Sequence, residues 1–178
     1  MGRTKQLLPL GPKPVILHCL DSVLDAGIGD IVVVLGACRD EITAAISGLP
    51  VRTMINDDPA SDMAASVRLG LRAIDPASTA VLICLSDHPL VSAGTIAAIV
   101  SSHRVSSDSI IIPSYHGQRG HPTLFPLPYI EDIFRCMNLR QVIAAHAEKV
   151  RLAEVDDEGI ILDLDTPEDY ERMKGRFA

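Results

Sequence analysis

The order of apolar and polar positions predicts a helix followed by a buried strand near the start of the chain. A helical repeat covers PVILHCLDSVLDAG, because Ile16, Leu20 and Val23 fall on one face and Gly27 supplies a left-handed stop. The next segment is DIVVVLG, and its uninterrupted aliphatic run is typical of a strand buried on both faces. A polar helical segment is expected to follow from about Arg39 to Ser47.

Two further strand-and-helix units follow at similar spacing. One consists of the strand VRTMI, the turn NDDPASD and the helix MAASVRLGLRAI. The other consists of AVLICLS, DHPLVS and GTIAAIVSSH. Strands that alternate with helices in this way form βαβ units, so we predict a doubly wound α/β fold with a mostly parallel sheet. In such a sheet, ligands bind at the carboxyl ends of the strands.

The pattern changes after the strand SIIIPSY. The polar turn HGQRG separates two short strand-like runs, which predicts a hairpin. Helices are expected near Tyr129 to Phe134 and Leu139 to His146, and then two short strands, VRLAEV and IILDL. The last helix, TPEDYERM, begins with a threonine cap and a proline in its first turn. Residues 1–178 are therefore predicted to form a single domain.

Charge and composition exclude some partners. The chain has a formal net charge of −7, which disfavours binding to nucleic acid or to anionic membranes. No apolar run reaches the roughly 20 residues that span a bilayer, so no membrane association is expected and a cytoplasmic location is predicted. A polyphosphate ligand would have to meet a local group of cations or a metal ion.

Acidic residues directly follow several apolar runs that are predicted to be strands. Because the carboxyl ends of parallel strands meet at one edge of a sheet, these side chains are expected to converge. Carboxylates gathered there, with Lys or Arg nearby, suit a hard divalent cation that bridges phosphates. For any single Asp, helix capping or turn formation stays an equally good explanation. The residues concerned are Asn56, Asp57, Asp58, Asp87, Asp163 and Asp165.

The turn GQRGHP holds a second candidate site. It places the guanidinium of Arg119 and the imidazole of His121 beside glycines, which would allow an anionic ligand to approach closely. A tight turn without a ligand explains the same residues from turn chemistry alone. Both interpretations stay open at this point.

Several motifs in one order resemble the MobA-like nucleotidyltransferase family, most closely its molybdenum cofactor cytidylyltransferase branch. Members of that family carry a strand, a Gly-rich loop, an RMGxxK motif and then LLPL, and this chain begins MGRTKQLLPL. The resemblance implies a Rossmann variant of the nucleotide-diphospho-sugar transferase type. The further matching motifs are NDDP at 56–59, MAASVRLGL at 63–71, LSDHPLV at 85–91, RGHPTLF at 119–125 and LDLDTPEDY at 162–170.

The resemblance also implies roles for individual residues. The acceptor's terminal phosphate oxygen is expected to attack the α-phosphorus of the nucleotide in line, with pyrophosphate leaving, so positioning and electrostatic stabilisation carry the reaction. The cofactor implied is Mg²⁺. The implied roles are catalysis for Lys5 and Asp87, nucleotide binding for Gly2, Lys5, Asp57 and Ser66, acceptor binding for Arg119 and His121, and metal binding for Asp87 and Asp165.

The resemblance favours one pair of substrates over others. Guanylyl-transferring relatives carry DKG after RMG, whereas this chain has TKQL, and RGHP resembles the cytidylyl branch, so CTP is favoured over GTP. The expected acceptor is molybdopterin. One alternative is transfer to another phosphorylated small molecule, such as a methylerythritol phosphate, a sugar phosphate or a cobamide precursor. The other is a non-catalytic maturation factor that binds a molybdoenzyme of the xanthine dehydrogenase type or its chaperone.

Met1 aligns with the methionine of RMGxxK, so the family's first strand and Gly-rich loop are expected upstream of the sequence given. That strand would lie between DIVVVL and AVLICL, and its loop would donate backbone N–H groups to the phosphates. We expect about 10 to 15 additional residues, the length of one strand and a tight loop, to raise thermal stability and CTP affinity.

Overall fold

Helices and strands alternate along most of the chain in the computed structural model, which describes residues 4–177. The strands are β1 (Pro9–Leu10), β2 (Lys13–Pro14), β3 (Val32–Leu35), β4 (Arg52–Ile55), β5 (Ala80–Ile83), β6 (Ile110–Tyr115), β7 (Gln118–Arg119), β8 (Thr123–Pro126) and β9 (Val150–Glu154). The helices are α1 (Val15–Asp25), α2 (Arg39–Ala45), α3 (Met63–Leu71), α4 (Ala93–Val105), α5 (Leu127–Ile130), α6 (Leu139–Ala145) and α7 (Pro167–Lys174). Short 3-10 helices cover Lys5–Leu7, Glu131–Phe134, Ala147–Lys149 and Glu158–Ile161.

The longer strands lie in two sheets, and each sheet contains strands that run parallel to each other, as the alternating pattern predicts. β3 pairs in parallel with β4, and β6 pairs in parallel with β9. β8 lies antiparallel between β5 and β6, so those two strands point the same way. The predicted hairpin is present, because β6 turns through His116 and Gly117 into the antiparallel β7. The α/β prediction with a mostly parallel sheet is therefore confirmed.

Helices cover both faces of β6. Ile110 and Ile112 point into a buried cluster with residues of α5, α6 and the neighbouring 3-10 helix, whereas Ile111 packs with Ile99 of α4. This split follows from the two-residue period of a strand. Since both faces are buried, β6 reads as a continuous aliphatic run instead of an alternating one.

β3 is covered on both faces, as its aliphatic run predicts. Val33 and Leu35 contact the cluster that contains the apolar face of α1. Val34 points the other way, beside Gly70 of α3. The predicted helical face of α1 is also confirmed, since Ile16 and Leu20 are buried in the same cluster.

The prediction of a strand at IILDL is wrong. This segment forms a 3-10 helix over Glu158–Ile161 and then an extended stretch without strand pairing. The Asp157 carboxylate caps the turn by accepting the Gly159 N–H at 2.9 Å. The aliphatic run is explained by burial, because Ile160 and Leu164 are fully buried.

None of the helices within residues 4–177 combines the length and the apolar character that crossing a bilayer requires.

The RGHP turn packs directly on the 3-10 helix at Glu158–Ile161. Gly120 donates its N–H to Pro113 O at 2.9 Å, and His121 donates its N–H to Ile160 O at 2.9 Å. A Cβ added at Gly120 would lie 2.2 Å from Ile160 O. Only glycine fits this contact without moving backbone, which gives Gly120 a structural reason beyond turn formation.

We expect Gly120→Ala to lower the free energy of unfolding by about 1 to 3 kcal/mol or more, because the added methyl group collides with backbone that cannot rotate away. Urea unfolding measures this change. Gly29→Ala is the matched control, since no atom lies within 4 Å of a Cβ added there. Equal unfolding free energies for the two variants would contradict the close approach of Gly120 to Ile160.

Candidate active site

Two carboxylates from distant parts of the chain converge on one ammonium group. Lys5 Nζ lies 2.8 Å from Asp87 Oδ2 and 2.8 Å from Asp165 Oδ1. The predicted convergence of acidic residues from separate apolar segments is therefore observed for these two residues. The group is partly open to solvent, since the Lys5 side chain is 30% exposed and the Asp87 side chain 23%.

Each member of this group comes from a different element. Lys5 begins the 3-10 helix at Lys5–Leu7, and the next residue, Gln6, donates its side-chain N–H to Ser86 Oγ at 3.1 Å. Asp87 lies in the loop after β5. Asp165 directly precedes the cap of α7, where Thr166 and Asp169 form a capping box.

Main-chain contacts join the loop after β5 to the segment that leads to Asp165. Leu164 donates its N–H to Asp87 O at 2.9 Å. Further along, Asp157 Oδ2 accepts the Ser92 N–H at 2.9 Å and the Thr95 hydroxyl at 2.5 Å. A Cβ added at Gly159 would lie 2.3 Å from Leu90 O, so the two segments are in direct contact there as well. These contacts fix where Asp87 and Asp165 lie relative to each other.

The electrostatics favour a charged carboxylate and a charged lysine. Burial raises the pKa of Asp87, but hydrogen bonds from His88 and Lys5 outweigh it, and the pKa lies well below its usual range. Burial lowers the pKa of Lys5, but hydrogen bonds from Asp165 and Asp87 outweigh it and leave the pKa raised. Both groups are therefore ionised near neutral pH.

A histidine pair extends the group toward the RGHP turn. His88 Nδ1 lies 3.1 Å from Asp87 Oδ1, on the carboxylate oxygen that Lys5 does not contact. The rings of His88 and His121 meet edge to face, with centroids 5.4 Å apart. His121 Nδ1 is buried and has no hydrogen-bond partner within residues 4–177. Burial is the main cause that lowers the pKa of His121, with the neighbouring His88 second.

The carboxylates of Asp87 and Asp165 fit a hard divalent cation. Both present an oxygen to one point, where the ammonium nitrogen of Lys5 now lies. In the described part of the chain, no three His, Cys, Asp or Glu side chains form a group able to hold a metal ion. Two carboxylates completed by phosphate oxygens and water match the way proteins commonly bind Mg²⁺.

A second polar group lies at the carboxyl end of β4. Asn56 Nδ2 donates to Ser61 Oγ at 2.9 Å and to Ser66 Oγ at 3.1 Å. Asp57 forms an ion pair with Arg39 at the start of α2. α2 also packs against the 3-10 helix that carries Lys5. The helix α2 therefore connects the element that carries Lys5 with Asp57.

The remaining candidate residues are placed differently. Arg119 is exposed on β7 and has no ion-pair partner among residues 4–177. His121 belongs to the same turn but packs inward against His88. Asp163 is exposed, while its neighbour Leu164 is buried. Gly2 lies outside the described residues.

Three contacting residues escaped sequence reasoning. His88 follows Asp87 directly in the DHP segment, which is the signal that could have drawn attention to it. Gln6 and Arg39 gave no such signal, because their contacts with Ser86 and Asp57 join residues far apart in the chain.

Comparison with known proteins finds one matching family model and several similar proteins. The family model described as MobA-like NTP transferase domain matches residues 1–151. The chain is 25% identical to molybdenum cofactor cytidylyltransferase of Escherichia coli K12, over 100% of this chain and 91% of that protein. It is 27% identical to nicotine blue oxidoreductase of Paenarthrobacter nicotinovorans, over 97% of this chain and 89% of that protein.

Other similarities are partial or structural. The bifunctional protein GlmU of Syntrophomonas wolfei is 29% identical over 60% of this chain, which spans only 23% of that protein's length. Among solved structures, the manganese complex of Rv0371C from Mycobacterium tuberculosis H37Rv superposes with a TM-score of 0.84 and 26% identity. The match covers 98% of this chain and 93% of that one.

The position of Lys5 predicts opposite effects on Mn²⁺ affinity. We expect Asp87→Asn to weaken Mn²⁺ binding by about tenfold or more, because loss of a ligand costs at least as much as a change at a residue that orients one. We expect Lys5→Met to strengthen binding by the nucleotide-free protein, because it removes a cation that competes for the same two carboxylates. Isothermal titration calorimetry with MnCl₂ measures both effects.

Asp163→Asn is the matched control, because this exposed carboxylate lies two residues from Asp165, and its variant should bind Mn²⁺ as the unaltered protein does. If Asp163→Asn weakens binding and Asp165→Asn does not, the cation is held by Asp163 and not by Asp165.

Proposed function

This chain belongs to the MobA-like NTP transferase family, and from that premise we propose that it transfers CMP from CTP to a phosphorylated small molecule with release of pyrophosphate. The proposed acceptor is a molybdopterin-type cofactor, because molybdenum cofactor cytidylyltransferase matches this chain over its whole length. The proposed metal is Mg²⁺, and the proposed location is the cytoplasm.

The observation that carries the proposal is the convergence of Lys5, Asp87 and Asp165. We assign Asp87 and Asp165 to the metal ion, which would neutralise charge on the phosphates when bound. We assign Lys5 to the triphosphate, for which a positive point charge on a flexible stem is suited. The chain's own groups then act by positioning and by stabilising charge on the phosphate oxygens, as nucleotidyl transfer requires.

The second polar group supports a nucleotide site beside the metal. We propose that Asp57 and Ser66 face the nucleotide, together with Gly2, whose place lies outside the described residues. Asp57 and Ser66 are held by Arg39 and Asn56, so their side chains have fixed partners at the carboxyl end of β4. This is the edge of a parallel pair where ligands bind in α/β proteins.

The RGHP turn supports an acceptor site. Arg119 presents an exposed guanidinium, which suits an anionic group on the acceptor. We propose that His121 contributes from the same turn. Its Nδ1 is buried, so contact with an acceptor would involve the other ring nitrogen. A molybdoenzyme or its chaperone is the proposed protein partner that receives the product.

A second candidate function comes from the similarity to nicotine blue oxidoreductase, which is as extensive as that to the cytidylyltransferase. Under this alternative the domain would bind a ligand for a redox reaction and would transfer no nucleotide. Release of pyrophosphate separates the two candidates, because nucleotidyl transfer produces it and electron transfer does not.

The direct test is incubation with Mg²⁺, molybdopterin and radiolabelled CTP or GTP. We expect label from CTP in the acceptor and equimolar pyrophosphate, and we expect Asp87→Asn to lower turnover by about 10² to 10³ fold, as loss of one electrostatic stabiliser does. A smaller loss of turnover is expected for Asp165→Asn, since Asp163 lies two residues away and could partly replace its carboxylate. Asp163→Asn is again the control.

Each result has a distinct meaning. Transfer from GTP alone would overturn the choice of base and leave the family assignment intact. Transfer to another phosphorylated acceptor would replace molybdopterin. Absence of transfer together with a CTP-dependent rise in melting temperature would favour a binding function, because a ligand that binds only the folded state stabilises it. The non-catalytic maturation factor would then be the better description.

The acceptor assignment has its own prediction. We expect Arg119→Ala to raise the acceptor KM severalfold more than the CTP KM, with kcat little changed, because a remote anion contact contributes uniform binding. Arg151→Ala is a matched control, since this arginine is also exposed on a strand edge of the same sheet but lies outside the RGHP turn. A rise in the KM for CTP alone would assign the RGHP turn to the nucleotide site and not to the acceptor site.

A further inference from the structure

We propose that His88 is a positioning residue that orients the Asp87 carboxylate toward the metal, an inference that rests on the proposed function. Within residues 4–177, His88 forms no hydrogen bond or ion pair with Lys5 or Asp165, so its effect would act through Asp87.

The two oxygens of Asp87 have separate partners. Oδ2 receives the ammonium of Lys5 at 2.8 Å, and Oδ1 lies 3.1 Å from His88 Nδ1. A carboxylate held by only one oxygen can rotate about its terminal bond, which prefers no single angle strongly. A fixed partner on Oδ1 removes this freedom and keeps Oδ2 aimed at the point shared with Asp165.

The chemistry of the pair sets the direction of the hydrogen bond. An ionised carboxylate only accepts hydrogen bonds, so the ring nitrogen next to it must carry the proton. The other oxygen of Asp87 receives the Lys5 ammonium at 2.8 Å, and a carboxylate in such an ion pair is ionised. His88 Nδ1 is therefore the donor.

His88 is itself held in place from the far side. Its side chain is 9% exposed, and its ring meets the ring of His121 edge to face. The backbone N–H of His121 donates to Ile160 O and fixes the position of this residue. Ile160 belongs to the same segment that leads to Asp165. The RGHP turn thus supports both carboxylates, Asp87 through the two imidazoles and Asp165 through Ile160.

The competing explanation is that His88 only fills space between Asp87 and His121. Two variants separate packing from hydrogen bonding. His88→Leu keeps a side chain of similar bulk and loses the donor. His88→Asn loses bulk and keeps an N–H donor at the δ position, where Nδ1 now lies.

The first measurement is Mn²⁺ affinity of the nucleotide-free protein by calorimetry. We expect His88→Leu to weaken binding by about 10-fold, the lower end of the range for residues that orient a metal ligand. We expect His88→Asn to restore affinity to within a factor of about three of the unaltered protein. In the CTP assay, His88→Leu should lower kcat by a similar factor and leave the KM for CTP little changed.

The second measurement uses the unaltered, metal-free protein and does not depend on any variant folding. Long-range ¹H–¹⁵N NMR spectra report which imidazole nitrogen carries a proton, and the His88 signals are identified by their loss in His88→Asn, or by selective assignment if that variant does not fold. We expect a protonated Nδ1. A neutral His88 with its only proton on Nε2 would overturn the inference.

The remaining outcomes are also decisive. Normal Mn²⁺ affinity in a folded His88→Leu protein, or equal losses in the Leu and Asn variants, would overturn the positioning role. Failure of the proposed function looks different, because the unaltered protein would then neither bind Mn²⁺ at Asp87 nor transfer a nucleotide, while the proton on His88 Nδ1 would still be observed.

Discussion

The fold is organised around a single electrostatic constraint, which is that the carboxylates of Asp87 and Asp165 share one cation. Two carboxylates that approach the same point repel each other, and a positive charge between them offsets this repulsion. In the structure Lys5 provides that charge, at 2.8 Å from each carboxylate. Since all three residues come from different parts of the chain, the surrounding backbone has to hold them together against this repulsion whenever the lysine moves away.

Contacts that do not depend on Lys5 hold the two acidic segments together. The Leu164 N–H on Asp87 O fixes the two acidic segments side by side, and the carboxylate of Asp157 bonds the same two segments a few residues further along. Gly120 and Gly159 allow backbone to approach backbone more closely than any other residue would permit. These glycines carry no charge. The close backbone contacts that they allow nevertheless help to set the spacing of the two carboxylates.

The sequence predicts the elements well where burial follows a regular period, as in α1, β3 and β6, and it predicts that Asp87 and Asp165 approach each other, since both follow aliphatic runs. It does not predict the 3-10 helix at Glu158–Ile161, because the run IILDL has the composition of a strand. The helix is set by the cap of the adjacent Asp157 and by packing on Leu90 from elsewhere in the chain. The role of His88 was also hidden, since only the fold shows that its ring lies between Asp87 and His121. Local patterns reveal elements, whereas side-chain partners distant in sequence emerge only from tertiary structure.

The position of Lys5 adds a consequence for the proposed reaction. A lysine paired with both Asp87 and Asp165 cannot at the same time bind a triphosphate away from them. Under the proposed function, binding of metal and nucleotide would therefore exchange one set of ion pairs for another. In the proposed reaction the divalent ion would replace Lys5 beside the two carboxylates, and Lys5 would pair with the triphosphate instead. Of the three side chains, Lys5 is the one suited to move, because its long stem is flexible and 30% exposed. The carboxylates would stay in place, held by the main-chain contacts and by His88, so the proposed site would be formed before metal and nucleotide bind.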